Sequence, residues 1–211
     1  TFPESKVSHI ILDLKEAVRT EKILELQLNI EDNKTISGLR RSASWANNQY
    51  CYFVIEFEKE FKEFGIQLEG EKTIGLTQAE GKDIKAWFDF DTEKNEKILA
   101  KVALSSVSIE GAKRNLAAEI PHWDFEKTLK ESQEEWANEL SRIEVKGNPK
   151  DETIFYTALY HTLIAPNTWS DVDGHYRGHD MKVHQSDHVV YTVFSLWDTF
   201  RAEHPLLTIL H

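Results

Sequence analysis

The sequence predicts an antiparallel β-sandwich followed by helices. Three features carry that prediction. The first half is built of short runs in which apolar and polar residues alternate. Polar or Gly-bearing turns separate those runs, with no helical pattern between them. Near Glu110 the apolar spacing changes from two to three or four.

Strand-like runs cover Val7 to Val18 and Ile23 to Ile30. In the second, Leu24, Leu26, Leu28 and Ile30 alternate with Glu25, Gln27 and Asn29, so one face is apolar and one is wet. Asp32-Asn33-Lys34 reads as a turn before a run at Thr35 to Leu39. In Cys51 to Phe57, Phe53, Ile55 and Phe57 share one face and Tyr52, Val54 and Glu56 the other. Ile84 to Phe90 alternates in the same way, as does a run from Ile98 through Leu104 toward Ile109. Glu69 to Thr73 and Asp91 to Glu96 read as charged connections.

The pattern then becomes helical. Gly111 to Glu119 is a short helix, broken by Pro121. Asp124 is placed to cap a helix reaching about Arg142, whose apolar face is Phe125, Leu129, Trp136, Leu140 and Ile143. Gly147-Asn148-Pro149 ends it, and Asp151 can cap a further helix toward Leu163. Ala165, preceding Pro166, is pushed out of helical backbone. A polar loop follows, and then a last helix. Domains are expected at 1–110 (sandwich), 111–150 (helical linker) and 151–211.

Composition bounds the function. The 211 residues carry a net charge of −11 and 40% hydrophobic residues. That fits a folded chain with a real core and argues against nucleic acid or an anionic membrane surface as partner. No apolar run approaches the roughly 18 residues of a membrane span. Cys51 is the single cysteine and can form no internal disulfide. No signal-peptide pattern stands at Thr1.

The richest stretch is Tyr191 to His211. Trp197, Asp198 and Arg201 bring an aromatic plate, a carboxylate and a guanidinium within five residues, a combination suited to a polar ligand with an apolar face such as a sugar. If Asp198 to Glu203 is helical, Asp198 and Arg201 share a face. The plainer alternative is that Asp198 caps a helix beginning there. Leu206, Leu207, Ile209 and Leu210 form a run expected to be buried. Trp45, after Arg40 and Arg41, stands either at a ligand rim or as a plug at the sandwich end beside two solvated arginines.

The loop Ser170 to His188 holds Asp171, Asp173 and Gly174, which resemble the opening of a calcium loop. The further ligand and the late Glu of that pattern are missing, so a Gly turn with Asp side chains bonding local backbone is favoured. His175, His179, His184 and His188 follow no zinc spacing and read as surface or hydrogen-bonded histidines. No carboxylate pair stands out for glycoside hydrolysis, and no nucleophile elbow, Walker loop or dinucleotide fingerprint is present.

Two long motifs, FYTALYHTLIAPNTWSDVDGHYRG at Phe155 to Gly178 and YTVFSLWDTFRAEHPLLTIL at Tyr191 to Leu210, resemble glycoside hydrolase family 92. VALSSVSIEGAKRNLAAE (Val102 to Glu119) and GLRRSASWANNQYCYFVIEF (Gly38 to Phe57) resemble earlier blocks of the same family. The resemblance implies a calcium-dependent, exo-acting, inverting α-mannosidase of periplasmic or extracellular location, acting on mannose-containing glycans, with an α-1,2 linkage expected. It implies an N-terminal β-sandwich, a helical linker and a C-terminal (α/α)6 barrel, of which this chain holds the start, with the site between sandwich and barrel and the remainder of the barrel as partner. Trp197 and Asp198 then map onto the mannose-binding subsite. The general acid, the general base and most calcium ligands are expected beyond residue 211, so no catalytic or metal-binding residue is assigned within this chain. His175 and His179 stand where the family usually has Arg and Met, which argues against either as a ligand. The rival reading is a non-catalytic carbohydrate-binding sandwich.

Overall fold

The computed structural model describes residues 1–17, 21–94 and 96–210. The chain forms two compact units. One comprises residues 1–123 with 170–188, the other residues 124–169 with 189–211.

The first unit is a β-sandwich. Its four-stranded sheet has the order β1 (Ser8–Asp13), β8 (Ile84–Phe90), β5 (Glu63–Leu68), β6 (Glu71–Ile74). Its five-stranded sheet has the order β7 (Gln78–Gly81), β2 (Lys22–Ile30), β3 (Thr35–Ala43), β4 (Gln49–Phe57), β9 (Ala100–Ser105). All pairings are antiparallel. The inward faces are the ones the alternation assigned. Leu26, Leu28, Ile30, Ile36, Phe53 and Phe57 meet Ile66, Ile84, Phe88 and Phe90 in one core. Phe57, Phe61, Phe88 and Phe90 pack edge-on or tilted, the contact geometry favoured by aromatic quadrupoles.

Several expectations need correction. The first strand ends at Asp13, whose Oδ1 accepts the backbone N–H groups of Lys15 and Glu16 in a turn. Val18, the expected end of that run, lies outside the described residues. Strands β5, β6 and β7 were not foreseen. Glu69 to Thr73 is half turn and half strand: Glu69 and Gly70 take positive φ and the chain returns as β6. Every residue of β6 is exposed, so it has no alternation to read. The run expected to reach Ile109 stops at Ser105, because Ser108 caps a helix, accepting the Gly111 N–H at 3.0 Å.

That helix, α1 (Ile109–Glu119), packs Ala112 and Leu116 onto Val54 and Ala103 of the five-stranded sheet. Ser170 to His188 is not an unstructured loop but holds a hairpin, β10 (His175–Arg177) with β11 (Val183–Gln185).

The second unit contains α2 (Phe125–Leu140), α3 (Pro149–Thr162) and α4 (Glu203–Leu210). Asp124 caps α2 as expected, accepting from Lys127 N. The cap of α3 is Asn148 rather than Asp151. Asn148 accepts the N–H groups of Lys150 and Asp151, with Pro149 at the first helical position, so Gly147-Asn148-Pro149 starts a helix as well as following one. Trp136 meets Tyr160 edge-on at 4.6 Å. No residue of α2 is fully buried, and Phe125 and Leu129 of its apolar face are exposed. The Ala165–Pro166 bond is cis. Among the described residues no helix is long and apolar enough to cross a membrane.

Candidate functional site

The segment carrying Trp197, Asp198 and Arg201 is a series of turns in the second unit. The helix begins only at Glu203, after Ala202 at φ +65°. Asp198 therefore caps no helix; its backbone N–H bonds Ser195 O at 3.0 Å. Nor do Asp198 and Arg201 form an ion pair among the described residues. The Arg201 guanidinium lies 5.2 Å from the Phe200 ring centre instead. What fixes the turns is Thr199, buried at 6% exposure, whose hydroxyl reaches Ser195 O and His204 Nε2. Phe194 braces the same histidine edge-on at 5.1 Å. On that base the outer side chains are presented to solvent: Trp197 is 89% exposed and Phe200 71%. Asp198 and Arg201 are exposed as well. Thr199 and His204 carried no sequence signal that set them apart from solvated polar residues.

The expected burial of the last apolar run holds only in part. Leu210 is buried and Leu206 and Leu207 are half-buried, but Ile209 is 78% exposed. Leu207 joins Trp136, Leu163, Pro166, Tyr191, Glu135 and Glu139 around a cavity of about 620 Å³. Its aromatic walls and two carboxylates can take a small polyol. No sequence pattern marks it, since its lining comes from four separate stretches.

Trp45 belongs to the first unit, in the turn between β3 and β4, and is 88% exposed; it plugs nothing. Arg40 and Arg41 are strand residues, not solvated loop arginines. Arg40 donates to Leu14 O, Glu21 and Ser42, and Arg41 to Asn48. The Tyr50 ring receives two guanidinium groups, Arg41 at 4.8 Å and Arg177 of β10 at 4.1 Å. Arg177 further donates to Ser106 O and Val107 O, fastening the hairpin to the sandwich.

The SDVDG turn is the hairpin's second fastening. Asp171 is 5% exposed, and its carboxylate accepts Ser105 Oγ at 2.7 Å and Asn115 Nδ2 at 2.9 Å. Asn115 Oδ1 in turn accepts Val172 N. Gly111 makes room: a Cβ there would come 2.2 Å from Asp171 Oδ2. Asp173 pairs with Arg114 at 2.8 Å and with His175 Nδ1 at 3.0 Å. Burial works to raise the Asp173 pKa, but the His175 hydrogen bonds and the Arg114 charge prevail and hold it below the ordinary carboxylate value. His184 bonds Asp180 and leans on Tyr176, while His188 bonds Asp187. These carboxylates are engaged with protein donors. Among the described residues no three His, Cys, Asp or Glu side chains converge as a metal would need.

Sequence-family comparison follows the same division of strands and helices. Residues 1–105 match the family model described as the glycosyl hydrolase family 92 N-terminal domain. Residues 111–211 match the family 92 catalytic domain. The chain belongs to glycosyl hydrolase family 92. A family 92 α-mannosidase from Bacteroides thetaiotaomicron superposes with a TM-score of 0.90 at 29% identity, covering 97% of this chain and 28% of that enzyme. A family 92 inverting mannosidase of the same organism gives 0.85 at 28% identity, covering 99% and 28%. A protein of Arthroderma benhamiae described as an uncharacterized secreted glycosidase is 32% identical over 79 residues, 35% of this chain and 10% of its own length. The family 92 chain thus covers 28% of the length of the two Bacteroides enzymes and 10% of the fungal protein.

Proposed function

We propose that this chain is the N-terminal portion of an exo-acting, inverting α-mannosidase that removes terminal mannose, in α-1,2 linkage, from glycans outside the cytoplasm. The observation that carries the reading is the match of both family 92 domain models, in order, to a chain that superposes along 97% of its length on an α-mannosidase. One of the similar α-mannosidases was solved with mannoimidazole bound, which supports a mannoside as substrate. The secreted fungal glycosidase supports an extracellular or periplasmic setting.

In this reading residues 1–110 are the sandwich, 111–150 the linker and 151–211 the opening of the (α/α)6 barrel. Trp197 covers the apolar face of mannose, Asp198 accepts two of its hydroxyls and Arg201 borders the subsite; on the sandwich, Trp45 stands at a ligand rim of that unit. The acid that protonates the leaving oxygen, the base that activates water and the calcium ligands belong to the remainder of the barrel. Calcium, when bound there, supplies charge stabilisation at the sugar hydroxyls.

The test compares the 211-residue chain with a longer form that includes the family's remaining catalytic domain. Mannose release from an α-1,2-mannobioside is expected from the longer form, lost on chelation, and absent from the 211-residue chain with or without calcium. Calcium-stimulated release by the shorter chain would overturn the assignment of the catalytic pair to the rest of the barrel.

A further inference from the structure

We propose that the outer face of the four-stranded sheet binds a neutral mannose-containing polysaccharide along a strip formed by Ile11, Trp87 and Ile74. The choice of mannan rests on the mannosidase reading; the strip itself rests on the sheet.

Strand register makes the strip. Ile11 pairs with Trp87, Trp87 with Gly65, and Gly65 with Ile74, so one straight row crosses all four strands. The row is three strand spacings long, about 14 Å, which suits an oligosaccharide more than a single sugar. Its two ends are open: Ile11 is 71% exposed and Ile74 67%. Its centre is flat because Gly65 has no side chain. A Cβ at Gly65 would stand 2.1 Å from Trp87 Cζ2 and 2.3 Å from Cη2, so the indole lies down over the glycine and remains part-exposed. A flat, rigid aromatic surface is what the apolar face of a pyranose packs against.

The borders are polar and nearly charge-balanced. On one side, two residues along the strands, run His9, Asp89 and Glu63; on the other run Asp13, Lys85, Gln67 and Lys72. Two contacts within these borders are made in place: His9 Nδ1 with Asp89 at 2.6 Å, and Lys85 with Asp13 at 2.6 Å. Both hydrogen-bond donors and acceptors therefore line a narrow apolar track, and neither sign dominates. That complements a ligand with an apolar face and hydroxylated edges, and it does not select an anion or a cation. It also disfavours a protein partner, whose interface buries about 800 Å² per side around a core poor in charges; here charged rows stand about 7 Å from the centre line on both sides. Helix α1 lies against the other sheet, and Ile11 and Ile74 of this face stay exposed.

The probe is soluble α-mannan in native affinity electrophoresis of the full chain. Retardation that grows with mannan concentration is expected. Trp87→Ala should abolish it, with a thermal melt run alongside because that change also uncovers Gly65. Ile11→Asp with Ile74→Asp alters only exposed side chains, should leave the melt within a few degrees, and should weaken binding at least tenfold. The same measurement in an Asp198→Ala background separates this face from the mannose subsite of the proposed function. Retardation surviving Asp198→Ala and lost in the double isoleucine variant supports the strip. A chain not retarded at all, or retarded equally in the double variant, overturns it. Failure of the mannosidase reading shows elsewhere, as no mannose release by the longer form.

Discussion

At Asp171 one buried carboxylate supplies one of the fastenings that hold a hairpin to its sandwich. Its partners Ser105 and Asn115 are themselves buried, so removing it strands two donors away from water. Asp171→Ala should cost about 2–3 kcal/mol, the range for a lost bond to a charged group or an unsatisfied buried donor. Asp171→Asn, which keeps an acceptor for Asn115, should cost less. Urea unfolding followed by far-UV circular dichroism measures both; equal midpoints for Asp171→Ala and the parent chain would show the network to be idle. Asp198 behaves oppositely. It is exposed and caps no helix, so Asp198→Ala should leave the melt unchanged. In the longer enzyme it should lower kcat/KM at least about tenfold, because each charge-assisted bond to a sugar hydroxyl contributes about 1.5–3 kcal/mol. Asp198→Asn should fall by a similar factor. Near-parental kcat/KM in both variants would remove Asp198 from the subsite. The sequence picked out Asp171 only as a local turn residue, because Ser105 and Asn115 lie 66 and 56 positions away and nothing local joins them.

At the scale of elements, legibility followed burial. Strands β2 and β8 bury one face, β4 adds Val54 beneath α1 to its core face, and their alternation was plain in the sequence. Strand β6 buries nothing and β7 only Ala79, and both were missed; β5 is the exception, missed although Phe64, Ile66 and Leu68 pack on the core. Capping chemistry located α2 but misplaced the start of α3, because Asn148-Pro149 serves a beginning as readily as an end. The hairpin β10–β11 was hidden for a different reason: it is held by long-range side-chain bonds rather than by an apolar pattern. Its attachment should be acid-sensitive. Asp173 has a folded pKa below the ordinary carboxylate value of about 3.9. Its contribution is therefore fully present above that value and is lost as pH falls through the lowered one. The urea midpoint should hold steady from pH 7 to 5 and drop below about pH 4. Asp173→Asn should blunt the drop, and an unchanged slope in that variant would assign the acid sensitivity to other carboxylates.

For the whole molecule, the notable property is how much large apolar surface stays in water. In the second unit Val193, Leu196, Trp197, Phe200 and Ile209 are each at least 71% exposed. In the first, Val102 and Leu104 of the edge strand β9 are more than half exposed, although their strand partners Ile55 and Phe53 pack in the core. Sequence periodicity assigns such residues to an inside. It cannot say which neighbour completes that inside, and so the last apolar run was expected to be buried when Ile209 is not. Isolated exposed apolar residues are ordinary, but several on one short segment make a patch of the kind that drives association. The 211-residue chain in dilute buffer should therefore self-associate and bind a hydrophobic dye, despite a net charge of −11 that opposes contact. Because the attraction is apolar and the opposition electrostatic, added salt should strengthen association by screening the repulsion. Light scattering at low and high ionic strength measures this. Replacing Leu196, Phe200 and Ile209 together by Ser, Ser and Thr should return a monomer without lowering the melting temperature, since none of the three is buried. A parent chain that stays monomeric at both salt concentrations, with no dye bound, would mean that these side chains are covered in solution.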